Sequence, residues 1–251
     1  MIKIQKRTTN IPSELSTVKA ADSLASITAK VQENTLTSKD FDDNIFGHRN
    51  VKIALKEDQH NKCAYCECSL VGDFGAVEHY RPKTEYQQSK ESPKTKPSYY
   101  WLAYDWKNLL CSCDVCNSQK YKGNLFPLRD PATRDIANKN ISNEIPLIIN
   151  PAEEDPGEHI FFREHIAAAV SLGGIESDKG RYTLNIFGIN DRKDLVQKRK
   201  NSWQIAEILL ENFLSNGMSH EDAIKKVISL LGKNENDFAG MFIHQQRWPK
   251  K

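Results

Sequence analysis

The stretch CDVCNSQK, Cys113 to Lys120, holds two cysteines separated by two residues. A second pair with the same spacer, Cys63 and Cys66, lies upstream in KCAYCEC. Zinc takes four thiolates tetrahedrally, and a two-residue spacer lets one turn present both sulfurs to one ion. Paired C-x-x-C motifs in a chain without secretory features indicate metal binding rather than disulfides. The sequence therefore predicts a closed, structural zinc site on Cys63, Cys66, Cys113 and Cys116.

The other two cysteines, Cys68 and Cys111, are alternative ligands. A ligand set that used either would need C-x-C or C-x-x-x-x-C spacing, which fits one turn less well. Six unligated buried thiols are a further interpretation, and the repeated spacer argues against it. We therefore expect Cys68 and Cys111 to lie outside the metal site.

The segment VEHYRPK, Val77 to Lys83, places an acid beside a histidine between the two cysteine pairs. Hydrolysis of a phosphodiester with one divalent cation needs a base for water, a group that holds that base in one tautomer, and oxygen ligands for a hard cation. The residues between and beside the cysteine pairs supply these groups: Glu78, His79, Asn108 and Asn117.

These motifs together resemble the HNH endonucleases of the ββα-metal type with a zinc-knuckle scaffold. That family has an acidic-His pair followed three residues later by a proline, then an Asn, then C-x-x-C-[HN]-x-x-K at the start of a helix. The nine-residue offset from Asn108 to Asn117 also agrees with the family. Two positions depart from its common pattern, because Glu78 stands where Asp is commoner and Asn117 stands where many members have His.

The resemblance implies a role for each matching residue. His79 would be the general base, and Asn108 would hold the imidazole through its side-chain or backbone carbonyl. Glu78 and Asn117 would ligate a catalytic Mg²⁺ or Mn²⁺. Lys120 would contact phosphate.

Arg81 is the second candidate for phosphate binding. It opens a segment rich in basic residues that runs to Lys96, and such runs suit contacts with a nucleic-acid backbone. A solvated surface is an equally good interpretation of such a run.

A wider pattern from about Lys62 to Arg199 is similar to the nuclease subunit of Septu-type anti-phage systems, the PtuB-like proteins, including those encoded with retrons. This resemblance implies a nuclease effector that acts on nucleic acid together with a PtuA-like ATPase of the ABC/SMC type. In retron versions a reverse transcriptase and its RNA–DNA hybrid product would restrain the pair. The helical regions Ile11–Val31 and Asp191–Phe213 would then be docking surfaces for the ATPase. Alternatively, these helices only complete the hydrophobic core of the small module.

The predicted fold class is α+β: a ββα-metal HNH module with a four-cysteine zinc knuckle, flanked by helical regions. We expect an N-terminal helical region over 1–60, the nuclease module over 61–130 and a mainly helical region over 131–251. Helices are predicted from Ser13 to Val31, from Arg49 to Gln59, from Asp191 to Phe213 and from Ser219 to Gly232. The apolar run IPLIINP predicts a buried strand or extended segment.

Composition fits a globular protein, with 251 residues, 39% hydrophobic residues and a formal net charge of +2. No apolar run approaches the ~20 residues of a membrane-spanning helix, so we expect a cytoplasmic protein with no membrane partner. DNA is the favoured substrate. The alternatives are a defence nuclease that cleaves RNA, such as tRNA, and a non-catalytic zinc-knuckle subunit that binds nucleic acid.

Overall fold

The computed structural model describes residues 1–72 and 75–248 and shows a mixed α+β fold. None of its helices, within these residues, is long and apolar enough to cross a membrane. The helices are α1 (Val18–Gln32), α2 (Asp43–Phe46), α3 (Arg49–Asp58), α4 (Asp114–Asn117), α5 (Asp178–Ile186), α6 (Lys193–Ser215), α7 (His220–Leu231) and α8 (Ala239–Ile243). The strands are β1 (Ala76–His79), β2 (Leu109–Ser112), β3 (Ile160–Arg163), β4 (Ile166–Ala169), β5 (Ser171–Leu172), β6 (Ile175–Glu176) and β7 (Gln245–Arg247).

The helix predictions are correct for α3, α6 and α7 within about two residues. Ser219 caps α7 by accepting a hydrogen bond from the backbone of Asp222, and Gly232 ends the helix. The predicted start of α1 is wrong. Ser13 begins only a short 3₁₀ turn, and Thr17 caps the α-helix by accepting from the backbone of Ala20.

Strands β1 and β2 form an antiparallel pair that joins the two cysteine clusters. Ala76 lies opposite Ser112 and His79 lies opposite Leu109. All four residues of β2 are buried, so the pair is covered on both faces and α4 follows it directly. Glu78 and His79 on β1, Asn108 directly before β2 and Asn117 at the end of α4 therefore follow one β–β–α succession.

The region after residue 130 contains strands that the sequence analysis did not predict. β4, β3 and β7 form a three-stranded sheet in that order, and β5 and β6 form a small hairpin. β4 reads IAAA and β7 lies near the end of the chain in parallel contact with β3. Neither strand has the alternating pattern from which a strand can be predicted.

The apolar run IPLIINP is buried from Leu147 to Pro151, but it forms no strand: Pro146 makes an isolated bridge to Leu128, and the chain bends at Leu147 and Ile148. Ile148 and Ile149 are fully buried, and the carbonyl of Ile148 accepts a hydrogen bond from the hydroxyl of Tyr80 at 2.7 Å. The ring of Tyr80 also packs edge-on against Phe126. These contacts fix the residue that directly follows His79.

Candidate functional site

The sulfur atoms of Cys63, Cys66, Cys113 and Cys116 all lie within 4.8 Å of one another. The Sγ atoms of Cys66 and Cys113 are 3.7 Å apart, close to the ~3.8 Å that tetrahedral zinc with 2.3 Å bonds to sulfur requires. Three of the four residues are buried. The prediction that these four cysteines meet is correct, and the cluster could hold a zinc ion.

Backbone contacts bring the first cysteine pair to the strand pair. The amide of Cys63 donates to the carbonyl of Cys68 at 2.9 Å, and the amide of Ala64 donates to the carbonyl of Cys111 at 3.1 Å. Glu67 takes a positive φ of 61°, which reverses the chain between Cys66 and Cys68. The turn is thereby folded tightly and tied to β2.

The second pair is positioned by the start of α4. Cys113 is the N-cap of this helix, and its sulfur accepts a hydrogen bond from the amide of Cys116 at 3.4 Å. Cys68 and Cys111 are outside the cluster. Cys111 is fully buried in β2, where its amide and carbonyl are hydrogen-bonded to the side chain of Gln59.

Glu78, His79 and Asn117 line one cleft of about 140 Å³ between the end of β1 and α4. Glu78 and His79 are almost completely buried, with 5% and 6% of their surface exposed. The same cleft is also lined by Val77, Pro82, Lys83, Thr84, Gln119, Gly123 and Asn124. Three of the four predicted catalytic residues thus share a small polar cavity beside the cysteine cluster.

The imidazole of His79 is held by the backbone of a neighbouring segment. Its Nε2 lies 2.9 Å from the carbonyl oxygen of Ala103, and because a carbonyl can only accept, Nε2 carries the proton. Nδ1 is then the unprotonated nitrogen of the neutral ring. Phe46 packs edge-on against the ring at a centroid distance of 4.7 Å. Burial, with the charges of Lys83 and Lys122, lowers the pKa of His79 well below its usual value.

Asn108 does not make the contact that the resemblance implied. Its side chain accepts from the amide of Arg81 at 2.8 Å and donates to the carbonyls of Arg81 and Leu102 at 3.0 and 3.2 Å. Its carbonyl accepts from the amide of Tyr80 at 2.9 Å. Asn108 therefore fixes the backbone that leaves β1, and Ala103 takes the place beside the imidazole. The reason is that the chain from Asn108 reaches the turn behind His79 and not the ring itself.

Lys122 was missed by the sequence analysis. Its side chain is fully buried, forms an ion pair with Glu78 and donates a hydrogen bond to the carbonyl of His79 at 2.9 Å. Burial raises the pKa of the Glu78 carboxyl, and the Lys122 charge opposes that rise. Nothing in the local sequence distinguishes Lys122 from a surface lysine.

Arg81 is not available for phosphate binding, contrary to the prediction. Its guanidinium is buried in an ion pair with Glu144 and lies 4.9 Å from the ring centres of both Tyr99 and Phe126. Glu144 is too far along the chain for the sequence to reveal this pairing. Lys120 is exposed near the ring of Tyr121 and does not line the cleft.

Lys83 is the basic residue that lines the cleft together with Glu78 and His79. Its ammonium lies 4.6 Å from the ring centre of Phe46. Burial lowers the pKa of Lys83, and the carboxylates of Asp43 and Glu78 oppose that change.

The fold and the site define an α+β protein in which a four-cysteine cluster able to hold zinc adjoins a buried Glu-His pair. No family model matches the chain. The chain is 33% identical over 202 residues to the Septu protein PtuB of Bacillus mycoides (strain KBAB4). The alignment covers 79% of this chain and 66% of that relative. It is 31% identical over 157 residues to the Septu protein PtuB of Bacillus thuringiensis, covering 62% of this chain and 47% of that protein. The chain is a PtuB-like Septu protein, and it spans about two thirds and about half of the lengths of these relatives.

Proposed function

We propose that this protein is a metal-dependent endonuclease of the HNH type, with DNA as the favoured substrate. The observation that carries the proposal is that Glu78, His79 and Asn117 line one cleft at the junction of β1 and α4. The antiparallel pair β1–β2 followed by α4, next to four clustered cysteines, is the order of elements that a ββα-metal module requires. The cleft joins a base with oxygen donors, the two requirements for metal-assisted hydrolysis.

His79 is the general base in this proposal. The hydrogen bond from Nε2 to the carbonyl of Ala103 fixes the ring orientation and leaves Nδ1 to accept the proton of a water molecule. Phe46 blocks rotation of the ring from one side. Ala103 and Asn108 are positioning residues, one through the imidazole and the other through the backbone after His79.

The donor set of the cleft fits a hard divalent cation. The carboxylate of Glu78 and the side-chain carbonyl of Asn117 are oxygen ligands, and Mg²⁺ commonly takes one or two such groups and completes its shell with water. A bound Mg²⁺ or Mn²⁺ would supply Lewis-acid polarisation of the scissile phosphate. Lys122 pairs with the buried carboxyl of Glu78 and opposes the rise in its pKa that burial causes.

The four cysteines would hold zinc with no open coordination position, so their role is structural. A zinc ion there ties the turn before β1 to the start of α4. Glu78 lies in β1, which follows that turn, and Asn117 is the last residue of α4. Zinc therefore sets the distance across the cleft in this proposal.

Lys83 is the phosphate-binding residue of the cleft in this proposal, and the exposed Lys120 is a second candidate. A lysine that lines the cavity can approach a phosphate that reaches His79, whereas Arg81 is occupied by Glu144. A partly buried ammonium is also a stronger electrostatic partner than a fully hydrated one.

We further propose that the nuclease is the effector of an anti-phage defence system and acts with a PtuA-like ATPase of the ABC/SMC type. The relatives named Septu protein PtuB support this. Apolar side chains stand exposed on two helices that could contact a partner, namely Val18 on α1 and Ile205 and Ile208 on α6. A retron reverse transcriptase with its RNA–DNA product would be an additional partner if the gene lies beside one.

The test is cleavage of supercoiled plasmid and of a structured RNA by the purified protein, alone and with the ATPase, in Mg²⁺ or Mn²⁺. We expect His79→Ala to reduce the cleavage rate ~10²–10⁴-fold and His220→Ala, in α7, to cleave as the wild type does. Cleavage of RNA alone would reassign the substrate. Equal cleavage by His79→Ala and wild type would overturn the nuclease proposal, and failure to co-purify with the ATPase would overturn only the partnership.

A further inference from the structure

Arg192, at the start of α6, reaches into the four-cysteine cluster. Its Nη1 donates a hydrogen bond to the sulfur of Cys116 at 3.3 Å, and the residue is buried. The buried Nε of the same guanidinium has no hydrogen-bond partner among the described residues. The contact joins residues 76 positions apart in sequence. Burying the Arg192 cation is unfavourable unless a negative charge compensates it.

The negative charge of a zinc-loaded cysteine cluster would compensate the charge of Arg192. Four thiolates around Zn²⁺ carry a net charge of −2, and burying uncompensated charge is strongly unfavourable. A hydrogen bond between an ionised donor and an ionised acceptor is about twice as strong as a neutral one. Arg192 places one positive charge in direct contact with the cluster.

The backbone before Arg192 is shaped to hold it there. Gly188 has a φ of +55°, and a Cβ at that position would lie 2.6 Å from the ring of Tyr121. The same ring lies 5.5 Å from the Arg192 guanidinium. Phe187 stacks on Tyr65, between the first two cysteines, at a centroid distance of 4.0 Å. The segment 187–192 is thus packed on both cysteine pairs.

We propose that Arg192 is a positioning residue of the zinc site: its guanidinium hydrogen-bonds the Cys116 thiolate, offsets part of the cluster charge and slows the loss of the ion. An N–H group that donates to a thiolate withdraws electron density from sulfur, so the thiolate reacts more slowly with protons, oxidants and competing chelators. Retention of zinc by the cysteine pairs thereby depends on the C-terminal region. This inference rests on the proposal that the four cysteines bind zinc.

The first test measures zinc release from the full-length protein into excess EDTA with a zinc-responsive dye. We expect Arg192→Gln to release zinc ~10–100-fold faster than wild type, the usual effect of losing a hydrogen-bond partner of a metal ligand. Lys193→Gln, an exposed neighbour on α6, is the matched control and should behave as wild type. Equal release rates for Arg192→Gln and Lys193→Gln would overturn the proposal.

The second test separates a direct contact from general destabilisation. With Co²⁺ in place of zinc, loss of a hydrogen bond to sulfur should move the thiolate-to-cobalt charge-transfer band to longer wavelength in Arg192→Gln and in Arg192→Met, which has no donor. Arg199→Gln is the structural control, because Arg199 donates to the carbonyl of Ile189 at 2.8 Å and to the side chain of Asn190 at 3.1 Å. It should leave the band unchanged.

The possible outcomes distinguish the role of Arg192 from metal binding by the cysteines. If Arg192→Gln does not fold, Arg192→Met supplies the comparison, and a wild-type band in that variant overturns the role of Arg192. If the wild type itself holds no zinc or cobalt, the metal assignment of the cysteines fails. These measurements do not depend on whether the protein cleaves nucleic acid.

Discussion

The buried ammonium of Lys122 is paired with the carboxylate of Glu78 and also donates to the backbone carbonyl of His79 at 2.9 Å. One side chain therefore organises both residues of the Glu-His pair. Both residues of the pair are almost completely buried.

Lys122→Met should destabilise the protein strongly, because it leaves Glu78 buried without its counter-charge. Removing one partner of a buried ion pair typically lowers the free energy of unfolding by ~3–5 kcal/mol. Urea unfolding followed by circular dichroism measures this. The double variant Glu78→Gln, Lys122→Met should recover part of the loss, and a Lys122→Met protein as stable as wild type would contradict the importance of the pair.

His79→Ala should reduce the cleavage rate ~10²–10⁴-fold, the usual contribution of a general base. Added Mn²⁺ should not restore it, whereas added metal should partly restore Glu78→Ala and Asn117→Ala, because those changes remove oxygen ligands. The measurement is cleavage rate against metal concentration, with circular dichroism as the folding control. Rescue of His79→Ala by metal would assign His79 to metal binding.

Asn108→Ala should reduce stability as well as activity. Its side chain makes three hydrogen bonds to the backbone of Arg81 and Leu102, and it is 5% exposed. Leaving buried backbone groups unpaired costs about 2–3 kcal/mol. Thermal unfolding of Asn108→Ala and Asn108→Asp tests this, since Asp keeps the acceptor and loses the donor. Unchanged melting temperatures in both variants would show that the side chain of Asn108 does not stabilise the fold.

Serine at Cys63, Cys66, Cys113 or Cys116 should abolish zinc binding and lower stability by several kcal/mol, since folding of a small metal module is coupled to the ion. Cys68→Ser is the matched control and should keep one zinc per chain. Elemental analysis and thermal melting before and after chelation measure both effects. Loss of zinc in Cys68→Ser together with its retention in Cys113→Ser would contradict the ligand set.

Glu154 should make stability depend on pH. Burial alone would raise the pKa of Glu154, but hydrogen bonds from His159 at 3.0 Å and Lys179 at 2.6 Å outweigh it and lower the pKa to about 2 from 4.5. A lowered pKa contributes stability above pH 4.5 that is lost as the pH falls toward 2. The stability gap between wild type and Glu154→Gln should therefore be wider at pH 7 than at pH 3. A constant gap would contradict this, and Glu235→Gln, at an exposed site, is the control.

The sequence alone encodes the parts of the candidate site that depend on local spacing. Two C-x-x-C pairs predict which four cysteines meet, because the geometry of one turn limits which sulfurs can approach one another. The Glu78-His79 pair and Asn117 were predicted from the family pattern that they match, an acidic-His pair before a proline and an Asn or His directly after C-x-x-C. Helices α6 and α7 were predictable because their apolar spacing lies within the segments themselves, and α7 also because Ser219 caps it.

The groups that surround these residues depend on long-range packing. The carbonyl of Ala103 holds the imidazole, Lys122 pairs with Glu78, Glu144 occupies Arg81, and Arg192 donates to Cys116. The partners in these contacts are 24 to 76 residues apart in the sequence. Contacts of this kind depend on how the whole chain packs, because a buried charge takes whichever counter-charge the fold brings to it, and neither composition nor periodicity encodes that choice.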